Sequence, residues 1–262
     1  MGFETVIYEK RGHLALVTLN RPQARNAYDD QMQGELDQVW RDVRGDANVW
    51  VVVLTGTGEA FCAGRDVKEL AAYQAQGRLV PRYDPASPTY GQFGAHLHRY
   101  GIRKPVVAGI NGFAVGGGLA LALSCDIRVM AETAWIGDLH VNIGQVGGAL
   151  RYVQALPYPI AAELVFMGGR MSAQRAYEVG LVNRVVPREE VLPEAIRIAE
   201  RICEMSPLAV QRSKEIMQMY LQPEAGLAQL EEHYMAEMRL TEDGQEGPRA
   251  FREKRKPVWK GC

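Results

Sequence analysis

The sequence has little of what several function classes require. Its 262 residues hold four cysteines, Cys62, Cys125, Cys203 and Cys262, far apart and in no paired spacing. That pattern fits neither a thiolate zinc site nor a disulfide framework, and the expectation is reduced thiols in a cytoplasmic protein. Charge of one sign is not in excess. Thirty Lys and Arg face 31 Asp and Glu, for a net charge of −1. Such a balance gives no electrostatic case for binding nucleic acid. No apolar run reaches the ~18 residues that a membrane span needs. The start, MGFETVIYEKRGH, lacks a basic segment followed by an apolar one, so no secretory leader is expected. Val6 stands where a myristoylation motif on Gly2 needs serine or threonine. There is no internal repeat, low-complexity tract or clear linker.

What is present is a chain rich enough in apolar residues, 47%, for a full core. Phe3 to Lys10 and Leu14 to Leu19 read as a strand pair around Arg11-Gly12-His13. A helix is expected from Asp29 to Val43, capped by Asp29 or Asp30, with Met32, Leu36, Val39, Trp40 and Val43 as its apolar stripe. Trp50 to Thr55 is a buried strand. Residues 72–89 lack periodicity and read as a long surface loop, the kind that often forms a lid. A helix over 90–102 and a second loop over 135–149 follow. Helices are then expected at 152–168 and 172–179, a turn and strand at 180–187, and helices over 189–205, 207–221, 224–240 and 244–253.

The most informative stretch lies between, KPVVAGINGFAVGGGLALALSCDIRVMAE, from Lys104 to Glu132. It reads as strand, glycine turn, buried helix, strand. Gly116, Gly117 and Gly118 stand directly before Leu119 to Leu123, a run of strong helix formers. Two readings fit three glycines there. One is a turn that allows close packing. The other is a set of exposed backbone N–H groups at a helix start, able to hold an anion or a developing oxyanion.

Four ordered segments carry more. They are LNRPQARNA (Leu19 to Ala27), AFCAGRDVKEL (Ala60 to Leu70), the glycine stretch, and MSAQRAYEVGLVNRVVP (Met171 to Pro187), with a tail segment EGPRAFREKRKPVW. Together they resemble the enoyl-CoA hydratase/isomerase, or crotonase, superfamily over nearly the whole chain. The resemblance implies an α/β fold, a spiral of ββα units over residues 1–200, with a helical C-terminal trimerisation region over 201–262. It also implies an acyl-CoA substrate, no cofactor beyond that CoA moiety, no metal, and a homotrimer or dimer of trimers. Two backbone N–H groups, of Arg65 and Gly117, would hold the thioester oxygen. Such donors stabilise the charge that develops on that oxygen, each by about 2.7–4 kcal/mol of barrier. CoA would lie along Arg25, Ala27, Ala63, Asp66 and Val67, and Phe251 and Lys254 match a C-terminal signature that reaches CoA. Each has a plainer reading as well: Arg25 and Lys254 as solvated charges, Asp66 as the cap of a helix starting at Val67.

One departure from the family pattern bears on the reaction. Hydratases of the family use two glutamates. Here Ala120 occupies the first position and His140 aligns with the second. His140, with Asp138 beside it, is therefore the candidate acid or base. If this stretch is extended, Asp138 could point to the other side from His140, and it ranks second. Three functions follow: a hydratase- or isomerase-like lyase, a C–C bond hydrolase or decarboxylase using His140, or a CoA-binding oligomer without catalysis. His96 and His98 read as surface residues. Tyr83 and Tyr90 are possible pocket residues, and Phe113 and Trp135 read as core.

Overall fold

The computed structural model describes residues 2–83, 87, 97–221 and 225–260. Strands β1 (Val6–Arg11) and β2 (Leu14–Leu19) form the expected hairpin, and α1 (Asp30–Gly45) follows. The chain then repeats one unit. β3 (Val51–Gly56) and β4 (Ala60–Cys62) lead into α2 (Val67–Ala75). β5 (Val106–Ile110) and β6 (Phe113–Val115) lead into α3 (Gly117–Leu123). β7 (Ile127–Ala131) and β8 (Trp135–Gly137) lead through a 3-10 turn, Val141–Ile143, to α4 (Ala149–Ala155). Then come α5 (Tyr158–Phe166), β9 (Arg170–Ser172), α6 (Ala173–Glu178) and β10 (Arg184–Val186). Four helices close the chain: α7 (Val191–Cys203), α8 (Pro207–Leu221), α9 (Ala225–Leu240) and α10 (Glu242–Arg252).

Each ββα unit gives its first strand to one sheet and its second to another. The larger sheet has the order β1-β2-β3-β5-β7-β10, and the smaller one β4-β6-β8-β9. From β2 to β10 the larger sheet is parallel, as are β4, β6 and β8. This is the expected α/β spiral. Parallel strands covered on both faces read as continuous apolar runs, and Val51 to Leu54 are fully buried. Helix α7 packs across β3, β5 and β7. The α1 stripe, Met32, Leu36, Val39, Trp40 and Val43, is fully buried, each side chain stabilising the fold by about 1.5–3 kcal/mol. Asp29, not Asp30, caps α1, accepting from Met32 N–H at 2.8 Å. Lys214 of α8 is buried and donates to Lys104 O at 2.9 Å and to Asp126 at 2.7 Å, which ties the C-terminal helices to the Lys104 to Glu132 stretch.

Several expectations are corrected. The helix expected over 152–168 is two, because Pro157 forces the preceding Leu156 to extended angles, φ −135° and ψ 150°. The loop expected from residue 72 begins later, since α2 runs to Ala75, and Pro81–Tyr83 forms a 3-10 turn. Of the helix expected over 90–102, the described part is a 3-10 turn, Leu97–Tyr100, which contains His98. Tyr90 and His96 lie outside the described residues. Strand β8 falls inside the expected 135–149 loop, and β4, β6 and β9 arise where no strand was expected. Three residues are too few to display a period of two.

The segment before α1 is strained and held. Arg25 and Asn26 both take left-handed angles, φ 55° and 54°, at a cost on the order of 1–3 kcal/mol each. Asn26 is fully buried and carries the compensation. Its Nδ2 donates to Thr57 O and Ala60 O, both at 2.8 Å, and its Oδ1 accepts from Arg21 N–H at 2.9 Å. Asn26→Ala removes these bonds and strands buried backbone groups. The expected cost is at least ~2 kcal/mol, read as a lower urea midpoint at unchanged slope.

Candidate functional site

The small sheet gathers the candidate residues. β4, β6 and β8 are parallel neighbours, so their C-terminal ends lie side by side. Ala63-Gly64-Arg65 follows β4, Gly116-Gly117 follows β6, and Asp138 to His140 follows β8. Three segments separated by ~50 and ~25 residues of chain thus meet at one sheet edge, where α/β proteins place ligands.

Contact between the first two is close. Gly64 has φ +85°, and a β-carbon on it would lie 2.9 Å from Val115 O and 3.2 Å from Gly117 N. A β-carbon on Gly117 would overlap the Tyr28 hydroxyl. A side chain at position 64 would push the two segments apart, and one at position 117 would displace the Tyr28 phenol. Gly117 opens α3, where amide N–H groups have no partner within the helix. Arg65 pairs with Tyr28 in a parallel bridge made by the flanking groups, Tyr28 N–H to Gly64 O at 2.9 Å and Asp66 N–H to Tyr28 O at 3.0 Å. Alternation along an extended segment turns the Arg65 N–H to the other side.

His140 and Asp138 form a pair. His140 Nδ1 is 2.5 Å from Asp138 Oδ1, and the same oxygen accepts from His140 N–H at 3.1 Å. The strand ends at Gly137 and His140 has helical angles, φ −61° and ψ −45°, so the extended-strand reading of this stretch is corrected. The turn folds the carboxylate back onto the ring. Asp138 is fully buried, and its Oδ2 has no hydrogen-bond partner among the described residues. With Asp138 ionised, Nδ1 carries the shared proton and Nε2 is left as an acceptor. The ring lies against the glycine turn: a β-carbon on Gly116 would be 3.3 Å from Cε1, and one on Gly147 2.9 Å from Nε2. Ala120 lies one turn into α3.

Around this core lie charges that sequence reasoning did not assign. The Arg65 side chain is nearly buried and pairs with Asp30 at 2.9 Å and Glu69 at 2.6 Å. Tyr73 donates to the same Asp30 at 2.8 Å. Burial pushes the Glu69 carboxyl up, against the pull of Arg65. Burial also pushes the Cys62 thiol up to about 12, so this thiol beside the site stays protonated and unreactive.

The residues expected to meet CoA fall in two places. Arg25, Ala27, Ala63, Asp66 and Val67 form one patch, tied by Ala63 N–H to Arg25 O at 3.1 Å. Arg25 is exposed and pairs with Glu59 at 3.3 Å. Asp66 caps α2 through Lys68 N–H at 3.0 Å and pairs with Arg21 at 3.1 Å. Val67 is exposed and Ala27 buried. Phe251 and Lys254 sit, exposed, at the C-terminal end of α10. Phe113 and Trp135 stack at 5.3 Å at the rim of the small sheet with Arg170 over the indole, half-buried rather than core.

Helix α10 braces the His140 turn. Gln145 donates to Gly244 O at 3.0 Å, and a β-carbon on Gly247 would overlap the Ile143 carbonyl. Glu246, on the same helix, accepts from Arg255 at 2.9 Å and from Val258 N–H at 2.9 Å, folding the tail back. These guanidinium contacts, with Arg249, hold its carboxyl well below the usual range. The sequence signal was Gly244 and Gly247, three apart and so on one helix face. Gly247→Ala is expected to push the 141–147 turn and shift the His140 imidazole resonances in NMR. Gly169→Ala, where a methyl meets open space, is expected to leave them in place.

Comparison with known proteins agrees with this geometry. The family model described as Enoyl-CoA hydratase/isomerase matches residues 9–262. The chain is 36% identical to the short-chain-enoyl-CoA hydratase of Clostridium acetobutylicum, covering 98% of this chain and 97% of that one. It is 37% identical to the (E)-benzylidenesuccinyl-CoA hydratase of Thauera aromatica, covering 98% and 99%. The crystal structure of carnitinyl-CoA hydratase from Mycobacterium avium superimposes with a TM-score of 0.88 at 37% identity, over 98% and 99% of the two chains. The match runs through every segment that builds the small sheet, and the chain belongs to the enoyl-CoA hydratase/isomerase, or crotonase, family.

Proposed function

We propose that this protein acts on an acyl-CoA thioester, polarising its carbonyl between the amides of Arg65 and Gly117 and moving a proton with His140. The observation that carries this reading is the Asp138–His140 pair, whose ring lies against the glycine turn that holds Gly117. Polarisation makes the α-proton acidic and the β-carbon electrophilic. A base beside the carbonyl then removes or delivers a proton without a second carboxylate. Asp138 fixes the ring and stabilises the imidazolium that forms, while Nε2 faces the reacting atoms. This is proton transfer by one histidine in place of two glutamates, in a lyase or isomerase of the enoyl-CoA hydratase type. The names of the relatives, all hydratases of CoA thioesters, support the substrate class.

A second reading is favoured by the same pair. A histidine held by a buried carboxylate also activates water, which suits C–C bond hydrolysis of a β-keto thioester. CoA itself would lie on the Arg25 to Val67 patch. The exposed apolar residues Leu208, Ile216, Met217, Met219 and Tyr220 of α8 support packing into a homotrimer or a dimer of trimers. No helix among the described residues is long and apolar enough to cross a membrane.

The test is turnover of 2-enoyl-CoA and 3-ketoacyl-CoA thioesters by the wild type and by His140→Ala and His140→Gln. The expected result is loss of about 10²–10⁴-fold in kcat in both variants with CoA binding retained. Consumption of the enoyl thioester supports the first reading and cleavage of the keto thioester the second. Unchanged kcat in both variants rules out His140 as the proton-transfer group.

A further inference from the structure

Tyr28 follows the strained Arg25-Asn26 turn and precedes the Asp29 cap of α1. Nothing in its neighbours marks it in the sequence, yet it touches both halves of the thioester-oxygen site. Its backbone brackets Arg65, accepting from Asp66 N–H at 3.0 Å and donating to Gly64 O at 2.9 Å. Its phenol reaches across to Gly117 and fills the space that a side chain on Gly117 would occupy. The residue is 4% exposed, so the ring is a packed spacer and not a wall of an open pocket.

We infer that Tyr28 is a positioning residue that sets the distance between the Arg65 and Gly117 amides. The inference rests on the oxyanion reading proposed above. Two donors stabilise a developing oxyanion only when both lie at about 2.7–3.1 Å from it. The two amides follow different strands, and β4 pairs with β6 through just two residue pairs with a register irregularity between them. So short a ladder fixes spacing weakly. Tyr28 supplies the missing constraint as one stiff aromatic link, bonded to the first segment through its backbone and set against the second through the hydroxyl end of its phenol.

The link is itself anchored at both ends. Before it, Asn26 is held by its bonds to Thr57, Ala60 and Arg21, and Arg21 also donates to Ala27 O and pairs with Asp29 at 3.0 Å and with Asp66 at 3.1 Å. After it, Asp29 caps α1. A smaller side chain at position 28 leaves this backbone clamp intact but removes the contact with Gly117. The expected defect is therefore in carbonyl polarisation and not in CoA binding.

The probe is an aryl-acryloyl-CoA thioester, whose absorption moves to longer wavelength when its carbonyl is polarised, with CoA alone as the control ligand. Wild type, Tyr28→Phe, Tyr28→Leu and Tyr28→Ala are compared for the spectral shift of the bound probe, for CoA affinity by calorimetry, and for kcat and KM. The expected result is a clear shift in the wild type, most of it retained in Tyr28→Phe, and most of it lost in Tyr28→Ala. A displaced donor of this kind lowers kcat by about 10²-fold, with CoA affinity and KM little changed. Should Tyr28→Ala fail to fold, Tyr28→Leu, which keeps an apolar side chain of moderate size, gives the same comparison. A full shift in Tyr28→Ala, or in Tyr28→Leu where that is the folded variant, overturns the inference. So does a Tyr28→Phe variant as impaired as Tyr28→Ala, because the packed ring would then not be what holds the spacing. No shift in the wild type removes the oxyanion reading itself, and this inference falls with it.

Discussion

The close approach of Gly64 to the turn at Val115 to Gly117 is the constraint on which the site depends. A side chain at Gly64 would force the ends of β4 and β6 apart, and the Arg65 and Gly117 amides with them. The contact is between backbones, so little can relax to admit a larger residue. Everything nearby serves to hold it. Asn26 fixes the loop beneath β4, Tyr28 spans the gap, and the ion pairs of Arg65 with Asp30 and Glu69 pin the start of α2 to the start of α1.

The division of labour between the two sheets follows from burial. The larger sheet is covered on both faces and carries long valine-rich strands whose side chains do nothing but pack. It supplies the stability. The small sheet has strands of three residues, and its parallel ends deliver three loops to one point. A spiral of ββα units makes this possible, because each turn contributes one stabilising strand and one strand that aims a loop. The segments of Arg65, of Gly117 and of the Asp138–His140 pair thus come from successive turns of the same repeat.

The chemistry follows from what stands in each loop. The turn after β8 brings a buried carboxylate and an imidazole together, and the glycines on either side let the ring sit against the backbone. Helix α10 then closes over that turn through Gly244 and Gly247. Carbonyl polarisation as proposed would use backbone groups and would not depend on side-chain identity. In the proposed reading, proton transfer does depend on it and falls to the oriented histidine.

The sequence by itself determined the family, the larger sheet, α1 and the identity of the glycines, because long apolar runs and a helical stripe leave a periodic trace. It also pointed to Arg65, Gly117 and His140 as candidates, through the order of the family's segments rather than through any local period. The short strands β4, β6, β8 and β9 left no trace, since three residues show no period, and the site's layout was hidden with them. Tertiary structure alone decided that Asp138 turns back onto His140, because that depends on where β8 ends. It alone decided that Tyr28 meets Gly117, about ninety residues away, and that α10 braces the histidine turn. Such contacts are set by packing between elements distant in the chain, and no local pattern encodes them.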